Sequence, residues 1–182
     1  MLNFTKKAIG NSTLKKRIGK VQREKEFCNI ESIKTVGILF ENVGDMYVVA
    51  NKMIKFFMSR KIKTYALAFE NIKHGDLVNR KQIPSYMKIF TKSDLTWYDR
   101  PYCEDVNKFI SQKFDVLIDL SHNSEYVFRY ILTMSMAKFK IGGIQYKNDP
   151  FDLILLEKSG DITKFVSLII NFLSTIKVKK NV

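Results

Sequence analysis

The chain has 182 residues, 46% of them hydrophobic, with 14 Phe and 8 Tyr, enough for one packed domain and an appendage. It holds no run of 18 apolar residues, which excludes a membrane-spanning helix, and no apolar signal core near its start, so a secreted protein is not expected. Thirty-one basic against 18 acidic side chains give a net charge of +13, which favours polyanionic partners: nucleic acid first, an anionic membrane surface second.

Residues 1–30 read as a basic arm or helix, set apart from a single α/β domain over 31–182. The first 26 residues carry Lys6, Lys7, Lys15, Lys16, Arg17, Lys20, Arg23 and Lys25 against Glu24 and Glu26, a net +6. Leu14, Ile18 and Val21 share a helical face at i, i+4, i+7. Such a segment is a solvated tail, an arm laid along nucleic-acid phosphate, or a helix resting on a membrane, the last with a thin apolar face. A transit-type peptide is richer in Arg and Ser than this.

Thr35 to Phe40, TVGILF, is the first predicted strand. Asn42 to Asp45 turn the chain, and Met46, Val49, Ala50, Met53, Phe56 and Phe57 mark the apolar face of a helix. Thr64 to Phe69 is a second strand, followed by a polar loop with His74-Gly75-Asp76, then a short strand over Tyr86–Phe90. An irregular aromatic segment contains Trp97-Tyr98-Asp99-Arg100-Pro101-Tyr102. A short helix follows at Glu104–Gln112. Residues 114–120 are apolar at nearly every position, as a strand covered on both faces must be. The small polar residues Ser121-His122-Asn123-Ser124 suit a helix N-cap, and Tyr126 to Met136 predict about four helical turns. Lys138–Ile141 is a strand closed by Gly142-Gly143, and Phe151–Leu156 is another, apolar but for Asp152. Asp161 caps a last helix whose stripe is Ile162, Phe165, Val166, Ile169, Phe172, Leu173 and Ile176. The order β-α-β-β-α-β-α-β-β-α predicts a three-layer, Rossmann-like α/β sandwich with a mainly parallel sheet.

In such sheets ligands sit at the carboxyl ends of the strands. Those ends carry Glu41, Asn42, Gly44 and Asp45, and Asp119, Ser121, His122 and Asn123, a set able to supply a base and a helix N-terminus. Neither GxGxxG nor GxxxxGK[ST] is present. A capping Ser and a loop His account for Ser121 and His122 more simply than catalysis does. Cys28 and Cys103 lie 75 positions apart with no ligand spacing, and His74 lacks a partner, so no metal or cofactor is expected. Two reduced, unreactive thiols fit a cytoplasmic protein. Trp97 beside Arg100 suits base stacking, but a Trp closing one edge of the core is the favoured reading.

IKTVGILF, FTKSDLTWYDRP, VNKFISQKFDVLIDLS and AKFKIGG resemble a family of short α/β proteins of Bacteroidota-type bacteria known as a domain of unknown function. The likeness runs from about Ile33 to Ile176, leaves the basic arm outside, and implies no activity. A fainter similarity is to the N-terminal half of heptosyltransferase-like (GT-B) glycosyltransferases. They pair a Gly-Asp helix start, here Gly44-Asp45, with strands like FDVLIDLS and AKFKIGG. That resemblance implies Asp45 as a base. It also implies a partner subunit supplying the nucleotide-sugar site, because the second Rossmann-like domain does not follow.

Together these readings lead to a non-catalytic, ribosome-associated RNA-binding protein. Lys6, Lys7, Lys15, Lys16, Arg17, Lys20, Arg23 and Lys25 would track phosphates, and Lys177, Lys179 and Lys180 would form a second anchor. The expected partners are ribosomal RNA and ribosomal proteins. The alternatives are the sugar-transfer half-domain and a membrane-peripheral adaptor.

Overall fold

Val36 to Phe40 are all buried, with Ile38 and Phe40 packing on one side of the backbone and Leu39 on the other. A strand of this kind needs helices on both faces, and the structure supplies them. A computed structural model of the protein describes residues 2–18, 21–72, 83–121, 125–146 and 150–176. The strands are β1 (Thr35–Glu41), β2 (Lys63–Glu70), β3 (Met87–Thr91), β4 (Val116–Asp119), β5 (Phe139–Gly142) and β6 (Leu153–Ile154). They form one six-stranded sheet in the order β3-β2-β1-β4-β5-β6, every pairing parallel. The strand order, which the sequence left open, puts the topological switch between β1 and β4.

Among the described residues five α-helices cover the sheet: α1 (Leu2–Ile18), α2 (Met46–Ser59), α3 (Glu104–Ser111), α4 (Tyr126–Met134) and α5 (Ile162–Thr175). Helices α2 and α5 pack on one face through Met53, Ile54, Phe57, Phe165, Ile169 and Leu173. Helices α3 and α4 fill the other through Val106, Phe109, Phe128, Ile131 and Leu132, and α1 adds Leu14 to that cluster. This is the three-layer α/β sandwich that the alternation predicts. The Asp161 cap forms as read, its carboxylate accepting from the backbone N–H of Thr163 at 2.8 Å and Lys164 at 3.3 Å.

Three expectations are corrected. Helix α4 is shorter than four turns: it ends at Met134, because Ser135 turns extended and its hydroxyl accepts from the Ala137 N–H, dropping the chain into β5. Ser121 does not cap it, since its hydroxyl is drawn back to Asp119, and Glu125 occupies the N-cap without a side-chain bond. The third is β6, which shrinks to two half-buried residues at the sheet edge while Phe151 turns inward over β5. There Gly142 leaves room for that ring: a Cβ at Gly142 would sit 2.2 Å from the Phe151 ring. Gly142→Ala is therefore expected to lower stability by about 1–3 kcal/mol, the usual cost of overpacking, as read by chemical denaturation. Gly142→Ala combined with Phe151→Leu should recover part of the loss.

Candidate nucleic-acid interface

Helix α1 and the segment following it are docked on the body. Leu14 is 1% exposed under α4, while Ile18 is exposed and Val21 falls beyond the helix end, so the predicted stripe narrows to one anchor. Lys6 pairs with Asp99 at 3.8 Å, and Arg17 donates to the Tyr130 hydroxyl at 3.1 Å. Arg23 is withdrawn furthest. Its guanidinium donates to Asp152 Oδ1 at 2.6 Å and to the carbonyls of Lys138 at 2.8 Å and Ala137 at 3.2 Å. Lys25 reaches the same Asp152 oxygen at 3.2 Å. Lys15 and Lys16 remain exposed at the end of a helix that carries no acidic residue. The side chain of Lys7, and Lys20, Lys177, Lys179 and Lys180 entirely, lie outside the described residues.

The carboxyl edge of the sheet, where the fold usually takes a ligand, is crowded with carboxylates. Asn42 donates to Glu70 at 2.7 Å. Glu125 is held above the usual carboxylate range by burial and by the nearby charges of Glu41 and Asp99. Asp119 is 1% exposed, and burial pushes its carboxyl up to about 7 against the pull of two hydrogen bonds. Those bonds come from the Ser121 N–H at 3.0 Å and the Ser121 hydroxyl at 2.9 Å, closing a turn. Asp45 is exposed at the N-cap of α2, next to Gly44 with φ +55°, and its side chain makes no capping bond. His122, Asn123 and His74 lie outside the described residues. Carboxylates placed this closely oppose the approach of a phosphate group.

Neither thiol is set up as a nucleophile: burial is the main cause pushing Cys28 up to about 11, and it raises Cys103 as well. Among the described residues no His, Cys, Asp and Glu group of three or more is placed to hold a metal ion. No helix there is long and apolar enough to cross a membrane.

The opposite edge, where the strands begin, is basic. Lys63 opens β2, Lys34 precedes β1, Lys113 precedes β4 and Lys138 precedes β5. Backbone bonds fix their order: the Lys63 N–H donates to the Lys34 carbonyl at 2.9 Å, Asp115 N–H to Thr35 at 3.1 Å, and Lys138 N–H to Phe114 at 2.8 Å. With strands about 4.8 Å apart, the four lysines follow one another across the sheet, and Arg60 and Lys61 extend the row from the end of α2. Acids do intrude: Lys138 pairs with Glu26 at 2.6 Å and Asp115 at 3.5 Å, and Glu31 is close in the chain. The Asp115 carboxylate is largely spent on the N–H groups of Lys34 and Thr35, whereas Lys34, Lys61, Lys63 and Lys113 are exposed and form no ion pair with a described residue.

Two adjoining grooves, of about 390 and 430 Å³, open at the beginnings of β2 and β3 and share Tyr65, Ser85 and Tyr86. Lys61, Lys63, Lys88 and Lys108 line them, with Asp105 the acid of the set and Lys108 paired to Glu104 at 2.6 Å. The Tyr86 hydroxyl is anchored on Asn51 at 3.0 Å, and Tyr65 is half-exposed against the Phe114 ring. Cations beside fixed tyrosine rings can hold a phosphate backbone and stack bases. None of these residues stands out in the sequence. The one signal was the repeated placement of a lysine just before an apolar strand, as in Lys113 ahead of FDVLIDL.

The Trp97–Tyr102 segment does not close the core. Trp97 is 59% exposed, on a hairpin-like loop held by the Thr96 N–H to Arg100 carbonyl bond at 2.8 Å and by Tyr102 Oη donating to the Ser93 carbonyl at 3.0 Å. It lies across the molecule from the grooves, near the acidic edge, where Asp99 meets Lys6.

No curated protein and no solved structure matches the chain. A family model does match, over residues 5–176, and thus takes in α1, which the resemblance seen in the sequence had left outside. The chain belongs to that family, a family of unknown function (DUF6913).

Proposed function

We propose that this protein binds RNA in the cytoplasm without catalysing a reaction on it, and that ribosomal RNA, within the ribosome, is the RNA it meets. The observation that supports this reading is the segregation of charge. Lysines and tyrosines share the grooves at the beginnings of β2 and β3, Lys15 and Lys16 are exposed at the end of α1, and Glu41, Asp45, Glu70, Asp119 and Glu125 lie at the other edge of the sheet. Phosphates are held by the cations and bases rest on Tyr65 and Tyr86, so contacts are electrostatic and tolerant of sequence. Arg23, which the sequence offers as a phosphate contact, serves to fasten the chain instead.

The test is the anisotropy of a labelled single-stranded RNA, titrated with the full chain at several salt concentrations. Lys63→Gln with Lys88→Gln should flatten the slope of log K against log salt by about 1.4, two phosphate contacts at ~0.7 each. Lys15→Gln with Lys16→Gln should act in the same direction. Tyr65→Ser should cost about 1–3 kcal/mol of affinity with the slope unchanged. Unaltered affinity and slope in all three would overturn the reading. A salt-resolved gradient of lysate, blotted for this chain, tests the ribosomal part: absence from ribosomal fractions at low salt removes it and leaves RNA binding standing.

A further inference from the structure

Lys140 is a lysine where an apolar residue belongs. It sits in the middle of β5, 2% exposed, in a strand otherwise packed on both faces. Its ammonium donates to the Leu132 carbonyl at 2.6 Å, the last turn of α4, and this uses one of three donors. Beside it opens a groove of about 470 Å³ lined by Gln22, Arg23, Lys25, Thr133, Lys140 and Pro150, among others. The charges facing the ammonium come from two other segments: Arg23 and Lys25 from the irregular segment after α1, and Asp152 from the chain entering β6. Among the described residues one carboxylate thus serves three cations. Asp152 Oδ1 is taken by Arg23 and Lys25, and its Oδ2 accepts the Lys140 backbone N–H rather than the ammonium.

A partly buried basic cluster that has one carboxylate partner among the described residues, beside a groove that also offers Gln22 and Thr133, is suited to receive an anion. We infer that this groove is a receptor for one phosphate group, bound by Lys140 and Lys25 Nζ with Gln22 and Thr133 as neutral hydrogen-bonding neighbours. This rests on residues separate from the RNA grooves, so either reading stands if the other falls. Burial, then the charge of Arg23, lowers the Lys140 ammonium to about 7, so near neutrality it is partly unprotonated when the groove is empty. An arriving phosphate favours the charged form, and binding takes up a proton at Lys140.

The probe is inorganic phosphate, titrated calorimetrically into the full chain near pH 7.5 in two buffers of different ionisation enthalpy. Binding at one site per chain, with net proton uptake beyond that of phosphate's own titration, is the expected result. Lys140→Met, which keeps the length of the stem, should abolish both. Lys25→Gln, on an exposed side chain, should weaken binding about tenfold, and Lys55→Gln, of the same charge change on α2, should leave it unaltered. The source of the phosphate is read by comparing a 5′-phosphorylated oligoribonucleotide with its 5′-hydroxyl twin and with a small phosphate monoester. Phosphate heat that persists in Lys140→Met, or that falls equally in Lys25→Gln and Lys55→Gln, would show only diffuse attraction to a cationic surface and overturn the assignment. So would an absence of proton uptake in the unmodified chain.

Discussion

Asp152→Ala is expected to destabilise the protein by about 3–5 kcal/mol, the range found when one partner of a buried ion pair is removed. The side chains of Arg23 and Asp152 are 9% and 13% exposed, and their contact of 2.6 Å is charge-assisted. Without the carboxylate, Arg23 keeps two carbonyls but loses its counter-charge, while Lys25 and Lys140 add like charges. Asp152 itself is held below the usual carboxylate range by Arg23, by the Lys140 N–H and by Lys25, against burial. A carboxyl depressed on folding stabilises above its unfolded value, and that stability is lost as the pH falls through the folded one. The penalty of Asp152→Ala, measured by urea unfolding, should therefore shrink towards strongly acid pH. Arg23→Met should cost less than Asp152→Ala, because it removes a cation from a cluster that has too many. If Arg23→Met instead weakened RNA binding at unchanged stability, Arg23 would be a phosphate contact after all.

Asp119 should make the protein less stable as the pH rises. The carboxyl moves from an ordinary value of 3.8 in the unfolded chain to about 7 in the folded one, with burial as the cause. Between those values the folded state binds more protons than the unfolded, so unfolding releases protons and stability falls with rising pH. The contribution is intact below about pH 4, fades across the window to pH 7, and levels off above it. Three pH units at 1.36 kcal/mol each set a ceiling of about 4 kcal/mol. Asp119→Asn removes this dependence while keeping an oxygen for the Ser121 N–H. The difference in unfolding free energy between the two proteins should therefore swing in favour of Asp119→Asn from pH 5 to pH 8. A difference flat across that range would mean that Asp119 stays ionised in the fold.

Strands and helix faces were legible because burial on both sides leaves a continuous apolar run, and burial on one side leaves a stripe. TVGILF and VLID show the first, and the α5 face from Phe165 to Leu173 shows the second. The start of α4 was not legible, because the Ser121 hydroxyl could either accept from a helix N–H or donate to a neighbouring carboxylate, and the buried Asp119 carboxylate won. The role of Arg23 was hidden by distance: its partner lies 129 positions along the chain. In the sequence it is one more cation in a basic run. The lysine row was hidden in the same manner. Lys34, Lys63, Lys113 and Lys138 become neighbours only through the strand order, which crossover connections decide and local patterns do not. The basic character of the protein was plain from its composition, but its place on the surface was not.

The split of charge along the strand axis acts before any contact is made. In the field of a long polyanion the two ends of this molecule feel unequal forces, a torque that swings the strand beginnings forward during the encounter. Encounters would then be productive more often than random tumbling allows, and dissolved salt would slow association by removing the alignment as well as the attraction.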